Sequence, residues 1–190
     1  MIKKLYNLIR PWLPRDYAKF NGVRSKGVRY FDRTRNFPDY EAELCSVITQ
    51  HLRSGMAVVE VGGGLGISAV YASKLIGEDG SLTVYEGSEQ HTEIVRDTIN
   101  CNETPSKTVV QNQIVGQPIH LYEESNTANS IPPAKLPDCD ALVLDCEGTE
   151  IQILSEYTHT PQVVVVETHE QFVPGCTTGV ECILNHNNYQ

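Results

Sequence analysis

The sequence reads as an α/β domain: a doubly wound parallel sheet with helices on both faces. Short apolar runs alternate with amphipathic stretches of helical length along most of the chain, and one of those runs breaks directly into glycines at 62–66. Size agrees. A chain of 190 residues, 40% hydrophobic and 21% charged, suits one core rather than two and argues against wholesale disorder. Strands alternating with helices are joined in parallel by right-handed crossovers, and ligands then collect at the carboxyl ends of the strands near the reversal in strand order.

Residues 1–38 read as a basic N-terminal arm and 39–190 as the main domain. In the arm, Ile2, Leu5, Tyr6, Ile9 and Trp12/Leu13 recur at helical spacing, which predicts an amphipathic helix over 1–16. Packing on the domain is the favoured role of that helix; a peripheral membrane contact through residues 1–16 is the alternative. Residues 17–38 read as a basic, irregular connection ending at Pro38. Asp39 is placed to cap a helix with an apolar face of Tyr40, Leu44, Val47/Ile48 and Leu52, stopped by Gly55.

The first strand is the apolar run AVVEV before the glycines; Ile67, Val70, Tyr71 and Leu75 mark the next helix, closed by GEDG at 77–80. LTVYEGS (82–88) is the second strand, and its Ser88 can cap a helix carrying Ile94, Val95 and Ile99. TVVQNQIVG (108–116) is the third. Residues 117–138 read as a long polar connection with a short strand at Ile119–Tyr122. DALVLD (140–145) is the fourth strand, followed by a helix around Ile151, Leu154 and Tyr157. VVVVETH (163–169) is the fifth, its unbroken valines predicting burial on both faces, and a last helix is expected over 178–185.

Charge is unevenly placed. Residues 1–35 hold ten Lys/Arg against two acids, a net of +8, whereas the remainder holds five against twenty-two, a net of −17. An acidic body repels phosphate backbones, so no nucleic-acid partner is expected. No apolar run approaches the roughly 20 residues that span a bilayer, and Arg10, Pro11 and Pro14 break any signal-like core, so a cytoplasmic protein is expected, with peripheral membrane contact as the variant. Six cysteines at no zinc spacing read as free thiols, Cys139 and Cys146 serving as small hydrophobes around the fourth strand.

The sharpest local signal is Glu60-Val61-Gly62-Gly63-Gly64-Leu65-Gly66. Glycines there let the backbone turn tightly and approach a ligand, beside the free N–H groups of the next helix. A dinucleotide fingerprint starting at Gly62 would need Gly or Ala where Ile67 stands. The loop instead suits a cofactor with an amino-acid end and a nucleoside. Glu86, ending the second strand, can accept both hydroxyls of a ribose.

The chain resembles the class I S-adenosylmethionine-dependent methyltransferases, in their FkbM-type branch. The resemblance runs from Tyr40 to Asn188, carried by EVGGGLG (60–66), VYEGS (84–88), LDCEGTEIQIL (144–154) and VVVVETH (163–169); the stretch Asp145-Cys146-Glu147-Gly148-Thr149-Glu150 is its most branch-specific part. It implies a Rossmann-like class I methyltransferase fold with S-adenosyl-L-methionine as cofactor. Gly62, Gly64 and Gly66 would face the methionine, Glu60 would anchor its amino group, Glu86 the ribose, and Asn112 the adenine edge. It also implies a sugar, glycan or related small-molecule hydroxyl as acceptor.

Methyl transfer needs acceptor oxygen and methyl held in line, with help in removing the proton. Asp145 and Glu147 leave the fourth strand beside that place, and His169 leaves the fifth together with Glu167; these make Asp145, Glu147 and His169 the catalytic candidates. The same three could form a hard-ion site. Against that, Glu147 and Glu150 could simply cap the following helix. His51, His91, His120, His159 and His186 have no motif around them and are expected at the surface. The chain stops where the family's closing β-hairpin would begin, which would leave the fifth strand as an edge open to a homo-oligomer. A non-catalytic cofactor-binding protein, or a nicotinamide-dependent oxidoreductase without its Tyr-x-x-x-Lys pair, are the other readings.

Overall fold

The structure, a computed structural model, describes residue 6 and residues 8–117 and 128–189. Tyr6, Leu8 and Ile9 are helical and Arg10–Trp12 form a 3-10 turn. The rest of the predicted helix over 1–16 lies outside the described residues up to residue 7, and from Arg15 the chain is a strand instead.

Residues 17–38 are not an irregular connection. Strands β1 (Arg15–Phe20) and β2 (Val23–Arg29) pair antiparallel, and β3 (Asn36–Phe37) adds parallel to β1. Asn21 and Gly22 make the turn, both at positive φ (43° and 82°), the two-residue geometry whose twist matches paired strands. Alternation does the rest: Ala18, Phe20, Val23 and Val28 point inward and form one cluster with Cys45, Ile67 and Val70 of the main domain. Phe20 stacks on Phe37 with centroids 4.7 Å apart. The basic residues are largely engaged as well. Arg35 pairs with Asp16 at 2.8 Å, Lys26 with Asp97 at 2.9 Å, and Arg24 lies over the Tyr17 ring.

Helix α1 (Ala42–His51) begins later than the sequence suggested, because Glu41 takes a left-handed φ of 49° and Asp39 contributes only its carbonyl, to Ala42 N–H. Then β4 (Ala57–Val61), α2 (Ile67–Ile76), β5 (Ser81–Glu86), α3 (Glu89–Asn100) and β6 (Lys107–Val115) follow in strict alternation. Ser88 caps α3 as expected, its hydroxyl accepting from His91 N–H at 3.2 Å. The short strand expected at Ile119–Tyr122 lies outside the described residues; the far end of that connection instead gives β7 (Asn129–Ile131), parallel to β6. The chain closes with β8 (Ala141–Leu144), α4 (Glu150–Glu156), β9 (Val163–Val166) and α5 (Cys176–His186).

The sheet order is β7-β6-β5-β4-β8-β9 with every pairing among its described strands parallel, the doubly wound arrangement the sequence predicted. The order reverses between β4 and β8. Two cores result, one per face: Val58, Leu82, Val84 and Val143 pack with Ile48, Ala69 and Ile76 on one side, and Val59, Leu142 and Leu144 with Ile153 on the other. β9 departs from expectation. It is an edge strand among the described residues, so only Val165 of its four valines is buried. Among the described residues no helix is long and apolar enough to cross a membrane, and all six cysteines are free.

Candidate functional site

The reversal in strand order is where backbones must part, and Gly62 makes that parting tight. It follows β4 at φ 93°, donates its N–H to Tyr85 O, and sits so close to β8's continuation that a Cβ would overlap the Asp145 carbonyl oxygen. Gly66 serves packing rather than a ligand: a Cβ there would press on Val95 and Thr98 of α3 at 3.2 Å. Between them the Gly63 and Gly64 N–H groups point at Glu86, whose Oε2 accepts both (3.1 and 2.9 Å) while Oε1 accepts Ser88 N–H at 2.8 Å. A carboxylate has about four acceptor positions, so Glu86 retains capacity for a hydroxyl on its Oε1 side.

A cavity of about 760 Å³ opens at the carboxyl ends of β4, β5, β8 and β9. It lies within the range of small-molecule sites, about 300–1,000 Å³. Gly62, Gly64 and Glu86 form one wall, and Asp145, Glu147 and His169 form another. Three predicted binding residues do not line it. Glu60 is buried beneath the loop, taking the Ser68 hydroxyl on Oε1 at 2.7 Å; Gly66 is turned to α3; and Asn112 spends its amide on Glu86 O, Gly87 O and the Thr92 hydroxyl. Asn112 thereby braces the β5 end from behind. His91, expected at the surface, lines the cavity, as does Arg15 from the N-terminal hairpin.

The second wall is built around one histidine. His169 Nδ1 lies 2.7 Å from Glu150 Oε1, and its Nε2 lies 3.3 Å from Asp145 Oδ1. Glu150 is fully buried. Burial alone would push its carboxyl up, but the His169 bond, helped by the backbone N–H groups of Glu150 and Gly148, holds it below its ordinary value. An ionised carboxylate only accepts, so Nδ1 carries the proton and Nε2 is presented to the cavity. The Glu150 bond raises the His169 pKa, against the pull of burial. Burial pushes Asp145 up to about 7, with Glu167 and Glu41 adding and His169 opposing.

Glu41, the left-handed residue before α1, reaches the same cavity and accepts Ser68 N–H at 3.3 Å; burial pushes it up to about 7. The sequence assigned Glu41 no contact and read Glu150 as a helix cap, because what matters for both is the tertiary partner rather than the local pattern. Glu147 takes φ 56° just beyond β8 and lines the cavity. For a cation, the set is therefore Asp145, Glu167 and His169, whose ligand atoms lie within 4.8 Å of one another, rather than Asp145, Glu147 and His169.

No protein-family model matches the chain, and no curated protein matches it in sequence. Solved structures do match. The chain is similar to a precorrin-6y C5,15-methyltransferase from Geobacter metallireducens (TM-score 0.54, 16% identity, 85% of this chain and 75% of that one). It is similar also to a SAM-dependent O-methyltransferase from Thermotoga maritima (0.54, 15%, 77% and 50%) and to a ribosomal protein L11 methylase from Lactobacillus delbrueckii subsp. bulgaricus (0.53, 16%, 78% and 69%). What the chain shares with these proteins is their fold, the Rossmann-like doubly wound sheet of class I methyltransferases.

Proposed function

We propose that this protein is an S-adenosylmethionine-dependent methyltransferase that methylates a hydroxyl group. The observation that carries the reading is the meeting, in one cavity, of the glycine loop with Glu86 and of the Glu150–His169–Asp145 line. The residues present fit the cofactor: Gly64 has open space above it, its nearest side-chain atom, Glu41 Oε1, being 3.8 Å from where a Cβ would stand, and Glu86 keeps an acceptor position for a ribose hydroxyl. The acidic walls suit a cofactor carrying an ammonium and a sulfonium charge. That cofactor supplies, when bound, an electrophilic methyl group.

The protein's own groups then have distinct tasks. Glu86, held in place by the Gly63 and Gly64 N–H groups, orients the nucleoside end. Glu150 fixes the tautomer of His169 so that Nε2 faces the acceptor, and Nε2 takes the hydroxyl proton as that oxygen gains its methyl. Asp145, sharing charge with His169 across 3.3 Å, steadies the imidazolium so formed. A sugar or glycan hydroxyl is the acceptor class we favour, on the FkbM-type stretch Asp145-Cys146-Glu147-Gly148-Thr149-Glu150. The missing pyrophosphate fingerprint at Ile67 stands against a nicotinamide cofactor.

Isothermal titration of the purified chain with S-adenosylmethionine, S-adenosylhomocysteine, NAD and NADP tests the assignment. Micromolar binding of the sulfur cofactors, lost in Glu86→Ala and weakened at least ten-fold in Glu86→Gln, is the expected result. Tight nicotinamide binding, or sulfur-cofactor binding indifferent to Glu86, would sink it.

A further inference from the structure

Seven large hydrophobic side chains are exposed among the described residues, and five stand at one end of the molecule: Leu8, Ile9, Trp12, Tyr30 and Phe31. Trp12 is 88% exposed, Leu8 74% and Phe31 69%. They come from two segments, residues 8–12 and 30–31, joined by a polar clasp. Asp32 accepts the Tyr6 hydroxyl (2.6 Å), both arms of the Arg10 guanidinium (2.8 and 2.7 Å) and the Arg29 N–H (2.7 Å). The Tyr30 N–H donates to Pro14 O, and the Tyr30 and Phe31 rings meet edge to face at 5.2 Å. The clasp ties the two segments to each other and leaves these apolar side chains in solvent. Arg10, Arg29 and Arg33 lie in or beside these two segments, Arg10 bound to Asp32, Arg29 to Leu13 O and Arg33 exposed, with Asp32 as the one acid there.

We infer that this end docks on an anionic lipid bilayer, Trp12, Leu8 and Phe31 entering the interface and Arg10, Arg29 and Arg33 meeting the headgroups. Aromatic and aliphatic side chains in segments that also carry arginines are what an interfacial site needs, since burial and headgroup attraction then add. Charge selects this occupant. The body beyond residue 35 carries −17 and would be repelled by such a surface, so the protein would approach by its basic end. A second copy paired through the same patch would bring two such basic segments, each with an exposed Arg33, to one contact. Three residues after Trp12, Arg15 enters the cavity wall, so docking would set a bilayer beside the site.

Trp12 is the chain's single tryptophan, which makes it the reporter. The full chain is titrated with vesicles of phosphatidylcholine alone, or mixed with phosphatidylserine at roughly two to one, following emission, acrylamide quenching and co-sedimentation. The expected result is a blue shift with shielding on the anionic vesicles only, reversed by salt. Arg33→Ala should weaken partitioning by about five-fold. Trp12→Ala with Phe31→Ala should abolish sedimentation while leaving the thermal unfolding midpoint in place. Absence of a shift, equal binding to neutral vesicles, or sedimentation surviving the double substitution would overturn the inference. So would a blue shift that appears with protein concentration in the absence of lipid, which would assign the patch to a second copy.

Discussion

Replacing Glu60 with glutamine isolates the consequence of burying a carboxyl under the glycine loop. Glu60 is 1% exposed; one oxygen accepts the Ser68 hydroxyl, and the other has no hydrogen-bond partner among the described residues. Burial pushes its pKa from 4.5 up to about 8, the Ser68 bond opposing while Glu41, Asp145 and Glu86 add repulsion. An acid that binds its proton more tightly folded than unfolded favours the native state fully at low pH. That advantage declines as pH climbs from the unfolded value toward the folded one. The slope in this window approaches 1.4 kcal/mol per pH unit, so wild type should lose roughly 2–3 kcal/mol between about pH 5.5 and 7.5 that Glu60→Gln keeps. Glutamine retains a carbonyl for Ser68 and has no proton to lose. Glu41 and Asp145 titrate in both proteins and largely cancel in the difference. Urea denaturation of the two proteins at three pH values measures it. Parallel pH profiles would refute the reasoning, showing Glu60 to be ionised and solvated in the native state.

Two further outcomes follow from the same geometry. Glu150→Gln keeps an acceptor for His169 Nδ1–H but removes the charge, so the rising limb of the kcat pH profile should move to lower pH with KM little changed; an unmoved limb would reduce Glu150 to a packing role. Gly62→Ala should lower stability by at least about 3 kcal/mol in chemical denaturation, since a methyl group there collides with backbone rather than a movable side chain and φ is left-handed. A loss below about 1 kcal/mol would mean that β8 shifts freely away from β4.

How far the fold was legible depended on whether the signal was local. Parallel strands announced themselves, because residues such as Val58, Val59 and Leu82, buried on both faces, leave unbroken apolar runs, and crossover helices leave a period of their own. The N-terminal hairpin carries a local signal as well: Asn21-Gly22 flanked by Ala18/Phe20 and Val23/Ser25 is a strong hairpin pattern, masked by the density of Lys and Arg. Charge density described the outer face of β1 and β2, not the face packed on α2. The valines of β9 misled in the opposite direction. They carry strand propensity, but propensity cannot say whether a strand lies at the centre of a sheet or on its edge, and β9 has one neighbour.

The site divides along the same line. Gly62, Gly64, Glu86, Asp145 and His169 sit where a strand-end rule places them, and all reach the cavity. Glu150 could not be read that way. At the start of α4 a carboxylate is already explained by the helix terminus, and its backbone bonds there are real. Its second task depends on His169, nineteen residues on and delivered by a different strand. Glu147 and Gly148, both at positive φ, turn the chain so that Glu150 enters the interior while Glu147 stays at the rim. The two acids of one short motif thus receive opposite environments from a single backbone reversal. Glu147 faces the cavity, and Glu150 is committed to the histidine. The same reversal fixes which of them the pH experiment must target, since only a buried acid with one neutralisable partner can move the His169 titration without touching the acceptor.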